Sequence, residues 1–96
     1  MVKHIVMWRV AGADKQAAVD RIASLIDELK TTVPELLRAE VGGNFNSSNN
    51  AYDVVLVSEF TNRDTLGTYQ RHPEHQAVAA EIALLTTDRA VVDYEY

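Results

Sequence analysis

The sequence predicts an α+β domain in the order strand, helix, strand, strand, helix, strand, with its four strands in one antiparallel sheet. Two valine-rich runs, Val2–Val10 and Tyr52–Phe60, have the length and β-branched content of strands. Between them, apolar residues recur at helical spacing from Ala17 to Val33. A second helical stretch around Pro73 leads into a final alternating segment. With 96 residues the chain is read as one domain, 1–96, without room for a second core. A domain this small buries roughly 60–70% of its unfolded surface, so a partner subunit would add useful stability.

Each element follows from local chemistry. Val2–Val10 is broken only by Lys3, His4 and Arg9, and reads as a strand covered on both faces. Gly12 punctuates, and Asp14 suits a helix N-cap. Val19, Ile22, Ile26, Leu29 and Val33 then form one helical face, opposed by Asp20, Arg21, Asp27, Glu28 and Lys30. Pro34 ends that helix, because it lacks an N–H and disfavours helical geometry at Val33. Leu37–Phe45 is a weaker strand whose Gly42-Gly43 pair signals a bulge or bend. Asn46–Asn50 is a polar loop, and Tyr52–Phe60 is the clearest strand.

Thr61-Asn62-Arg63-Asp64 fits a capping box, with Thr61 as cap and Asp64 reaching back. A short helix runs through Tyr69 and breaks before Pro73, which suits the first turn of another helix over Glu74–Leu85. Asp88–Tyr96 closes the chain as a strand, alternating Ala90, Val92, Tyr94 and Tyr96 against Val91, Asp93 and Glu95. Right-handed crossovers place both helical layers on one face of the sheet. The other face is apolar on its central strands and needs a cover, so a homodimer through the open sheet face is expected.

Composition narrows the function. The net charge is −5 and the basic residues are scattered singly, which argues against a nucleic-acid partner. No cysteine is present, so disulfides, thiolate nucleophiles and Cys-type metal sites are excluded. No apolar run matches a signal peptide or a membrane span, and a cytoplasmic protein without membrane contact is expected.

The residues that can carry chemistry cluster in Tyr69-Gln70-Arg71-His72-Pro73-Glu74-His75. His75 lies three residues before Val78 on the stripe continued by Ile82 and Leu85, so it falls on a buried face. There it is either a hydrogen-bonded core histidine or a general base facing a cavity. His4 shares a strand face with Val2, Val6 and Trp8, and the same two readings apply. Tyr69 is six residues before His75 across the proline break, and periodicity cannot decide whether the rings meet. Trp8 is a core residue or a ligand contact. The pair His72 and His75 has metal-like spacing, but Pro73 interrupts the turn and no third ligand stands nearby, so no metal is expected. His72 has a local alternative as the cap of the helix that follows.

Val2-Lys3-His4-Ile5-Val6, Val33-Pro34-Glu35-Leu36 and Glu40-Val41-Gly42 with Asn44-Phe45 together resemble the stress-responsive A/B-barrel family, called Dabb. So do Tyr52-Asp53, Tyr69 with His72-Pro73-Glu74-His75, and Val91-Val92-Asp93-Tyr94. The likeness spans essentially the whole chain. It implies a ferredoxin-like monomer that pairs through its sheet into a dimeric α/β barrel. Some plant members are polyketide cyclases that close a poly-β-keto chain by aldol condensation with no cofactor. In those, a first-strand histidine and a tyrosine and histidine around the His-Pro motif line the pocket. The matching positions are His4, Tyr69 and His75, with His72 the first histidine of the motif.

On that resemblance, His75, Tyr69 and His4 are the candidate catalytic residues, and His72 and Trp8 are candidate ligand contacts. An imidazole can deprotonate a carbon flanked by two carbonyls while a phenol or second imidazole holds the enolate oxygen. The expected function is a small organic ligand bound between sheet and helices, with cyclase-like chemistry and no cofactor. Two alternatives stand beside it: a non-enzymatic stress-associated oligomer, and a cofactor-free monooxygenase of the same architecture.

Overall fold

The computed structural model describes residues 1–96. The first strand forms as β1, Val2–Val10, and the first helix as α1, Lys15–Thr32. They are followed by β2, Arg38–Gly43, and β3, Val54–Phe60. Two helices, α2 at Arg63–Arg71 and α3 at Pro73–Leu85, precede β4 at Thr86–Glu95. The sheet order is β2-β3-β1-β4 with every neighbouring pair antiparallel, the ferredoxin-like arrangement.

Period-two burial along β1 and β3 defines the inner face. Val2, His4, Val6 and Trp8 are buried, as are Val54, Leu56, Ser58 and Phe60. The α1 stripe Val19, Ile22, Ile26, Leu29 and Val33 packs against them, joined by Leu25. From α2 come Leu66 and Tyr69, and from α3 Val78 and Ile82. The alternate residues of β1, from Lys3 to Arg9, are only half-buried, so this chain covers one face of β1 and not both.

Local chemistry explains the boundaries. Asp14 caps α1 by accepting the Ala17 N–H at 3.0 Å. The α2 cap is Asn62 and not Thr61, with Thr65 in the reciprocal position instead of Asp64. Asn62 Oδ1 accepts the Thr65 N–H at 2.9 Å, and Thr65 Oγ1 accepts the Asn62 N–H at 3.2 Å. Asparagine caps as well as threonine, so the box slides one residue along the sequence. The break at α2–α3 follows from Pro73, which holds His72 in extended geometry at φ −65°, ψ 133°.

Two expectations at the sheet change. Gly42-Gly43 makes no bulge; the pairs Gly42–Val55 and Gly43–Val54 continue the ladder without a shift. The register shift lies instead between Arg9 and Val10 of β1, against Asp88 and Thr86 of β4. It arises because α3 passes directly into β4, and Thr86 Oγ1 still bonds back to the Ile82 carbonyl at 3.0 Å. The strand ends are also trimmed, β2 starting at Arg38 and β3 at Val54.

Candidate functional site

His4 is the buried polar centre of the sheet, with 3% of its surface exposed. The register puts Ser58 of β3 and Asp93 of β4 directly opposite it, one on each side. Ser58 Oγ donates to the His4 carbonyl at 2.9 Å, and the His4 ring Nδ1 is hydrogen-bonded to the Asp93 carboxylate. A carboxylate only accepts, so Nδ1 carries a proton, and Nε2 is the ring nitrogen without a partner within the chain.

His75 occupies the first turn of α3 and is half-buried, on the same stripe as buried Val78 and Ile82. Its Nδ1 lies 3.2 Å from the Gln70 carbonyl. A carbonyl too only accepts, so Nδ1 carries a proton and the free lone pair of the neutral ring is on Nε2. Burial lowers the His75 pKa below its ordinary 6.5, because the ring loses water that would solvate the charged form. The Gln70 bond opposes this, while His4, Arg89 and His72 add to it. The imidazole is therefore neutral at pH 7, as a proton acceptor must be.

Tyr69 ends α2 with its ring centroid 4.3 Å from that of His75 and 4.9 Å from that of Phe60. The rings that periodicity could not bring together are in contact. Burial pushes the phenol pKa up to about 12, so it stays a neutral donor at any ordinary pH. Tyr69 Oη is not among the sealed, partnerless polar atoms of the interior, which are Arg9 Nε and Glu35 Oε2.

His4, Trp8, Tyr69 and His75 line one cavity of about 390 Å³ between the sheet and α3. Val6 and Leu56 give it apolar walls, and Ala79 and Ala83 bring only methyl groups from α3. That volume suits a ligand of one or two rings, since small-molecule sites run from about 300 to 1,000 Å³. Trp8 is thus both a core residue, 6% exposed, and a cavity wall. His72 stands apart. Its Nδ1 accepts the Glu74 N–H at 3.1 Å as the α3 cap, and it is not on the cavity wall.

Asp93, Ser58 and Arg89 join the site through strand register and not through any sequence motif. End-to-end pairing of Val2–Val10 with the expected Asp88–Tyr96 would set His4 opposite Tyr94; the observed ladder is one residue off this and sets His4 opposite Asp93. No group of three His, Asp or Glu side chains is arranged to hold a metal ion. No helix is long and apolar enough to cross a membrane.

A family model described as the stress responsive A/B barrel domain matches residues 2–96. A dimeric protein of unknown function and ferredoxin-like fold from Bacteroides fragilis is 33% identical, with a TM-score of 0.84 over 99% of this chain and 95% of its own. A dimeric ferredoxin-like protein of unknown function from Thermobifida fusca is 26% identical, also at TM-score 0.84, over 99% and 90%. A hydroxynitrile lyase from Passiflora edulis shares the fold at TM-score 0.84 and 20% identity, over 97% and 90%. No curated protein matches the sequence.

Proposed function

The chain belongs to the stress responsive A/B barrel domain family, and we propose that it binds a small carbonyl compound in its cavity and moves a proton on that ligand using side chains alone. The observation that carries this reading is the meeting of His75, Tyr69 and His4 on one largely apolar cavity. His75 Nε2 takes the proton from a carbon between two carbonyls, and the C–H electron pair becomes an enolate. The Tyr69 hydroxyl donates to the enolate oxygen. His4, held by Asp93, turns Nε2 to the ligand as a hydrogen-bonding partner. In an aldol closure the enolate carbon attacks a second carbonyl, and the His75 imidazolium returns its proton to the new alkoxide. The test is deuterium exchange at the central carbon of a β-keto ester in D₂O: protein-dependent exchange supports the reading, and exchange at the buffer rate opposes it.

A structural role for His75 has its own observation in the Nδ1 bond to Gln70, which ties the start of α3 to the end of α2. That reading suits a non-enzymatic oligomer, and the His75 variant discussed below separates the two.

The proposed assembly is a homodimer through the open sheet face. Ile5, Met7, Val55, Val57, Ala90 and Val92 share that face by register, and Val92 remains 55% exposed. A contiguous apolar sheet face of this kind calls for a cover. The proteins from Bacteroides fragilis and Thermobifida fusca are described as dimeric. Light scattering is expected to give twice the 10.7 kDa chain mass, and Val92→Glu to give the single-chain mass. A charge buried unpaired in an interface costs several kcal/mol, roughly 3–5, enough to separate the subunits. A dimeric Val92→Glu protein would place the interface elsewhere.

A further inference from the structure

Arg89 is the only lysine or arginine on the cavity wall. It lies opposite Trp8 in the β1–β4 register, so the two share the inner face of the sheet. The chain has nine basic residues for fourteen acidic ones, and seven of the nine pair with carboxylates. Arg71 and Arg89 do not, and Arg71 is not on the cavity wall. Asp88, the neighbouring acid, also lines the cavity but forms its ion pair with Arg9 and not with Arg89. It opposes Arg9 across the ladder, with Asp88 Oδ2 4.0 Å from Arg9 Nε, and it also accepts from Thr87 Oγ1 at 3.3 Å. In so acidic a chain, an arginine without an ion pair at the edge of a mostly apolar cavity is a group suited to receive an anion.

We infer that the ligand of this cavity carries a carboxylate, received by Arg89 at the rim while its reacting carbon lies against His75 and Tyr69. The inference rests on the small-molecule reading above and specifies its ligand class. One guanidinium matches one negative charge in a two-pronged hydrogen bond. A phosphate dianion would call for a second cation, and the wall has none. The carboxylate also fixes which end of the ligand enters. Its charge offsets the Arg89 cation that weakens His75 as a base, so binding makes the imidazole a better proton acceptor.

Trp8 is the only tryptophan and stands on the cavity wall, so its fluorescence reports occupancy directly. The probes are 3-phenylpropanoate and its neutral amide, 3-phenylpropanamide, titrated into wild type, Arg89→Gln and Arg89→Lys. Wild type is expected to bind the acid about tenfold more tightly than the amide, as a charge-assisted hydrogen bond gives. In Arg89→Gln the preference disappears while the amide binds as before, and Arg89→Lys recovers part of it. NMR titration should show the acid raising the His75 midpoint more than the amide does. Equal binding of acid and amide to wild type, or a preference that survives Arg89→Gln, would overturn the carboxylate inference and leave the small-molecule site standing. If wild type binds neither probe, the site and the inference fall together.

Discussion

His75→Ala is expected to slow β-keto ester exchange by about 10²–10⁴-fold, to the buffer rate, because general base catalysis contributes on that order. The fold should survive. The substitution removes the Nδ1 bond to the Gln70 carbonyl and the ring contact with Tyr69. Together these are worth about 2 kcal/mol, from roughly 1 for a hydrogen bond and 0.5–1.5 for an aromatic pair. A domain holds about 5–15 kcal/mol in total, so the variant should melt earlier but cooperatively. The structural reading of His75 predicts the reverse pattern, with exchange at the buffer rate in wild type and loss of the fold in the variant. Rate and melt, measured on the same samples, therefore decide between base and brace.

Tyr69→Phe is the second large effect, about 10²–10³-fold on the exchange rate, the usual loss when one donor to a developing oxyanion is removed. The change keeps the ring and its contacts with Phe60 and His75 and deletes only the hydroxyl. Tyr69 is 1% exposed, and burial alone shifts its phenol, with no hydrogen bond from another residue contributing. Stability should therefore move by less than about 1 kcal/mol. A wild-type exchange rate in Tyr69→Phe would remove the phenol from the reaction centre. The pair of variants also separates roles, since loss of the base abolishes pH dependence while loss of the donor lowers the rate at every pH.

Much of this arrangement is legible in the residues. The α1 face from Val19 to Val33 follows from spacing, and the α2–α3 break at His72 follows from Pro73. The apolar second face of the sheet follows from Val55 and Val57 alternating with Leu56 on β3. What spacing could not supply is register. His4 and Asp93 are far apart in sequence, and only the pairing of the outer strand with β1 makes them partners. Arg89 opposite Trp8 and Asp88 opposite Arg9 are likewise set by register, and Asp88 and Arg89 both reach the cavity rim at the α3–β4 junction. Ser58 looks like an ordinary strand serine until the register places it beside His4. Cap identity was decided by near-degenerate chemistry, Asn62 against Thr61. Gly42-Gly43 signalled a bulge because glycine permits one, whereas the ladder simply continues.

The most direct test overlays two curves on one protein: the pH profile of the exchange rate and the NMR titration of the His75 ring. Burial sets the folded pKa below the unfolded 6.5, so the rate should climb as His75 loses its proton and be level above pH 6.5. The same shift makes the folded state bind this proton less readily than the unfolded chain. The stability it governs is therefore full above pH 6.5 and lost as pH falls through the folded midpoint. Coincident midpoints below 6.5 would identify His75 as the group whose ionisation controls the chemistry. A rate that ignores the His75 titration would contradict its assignment as the base.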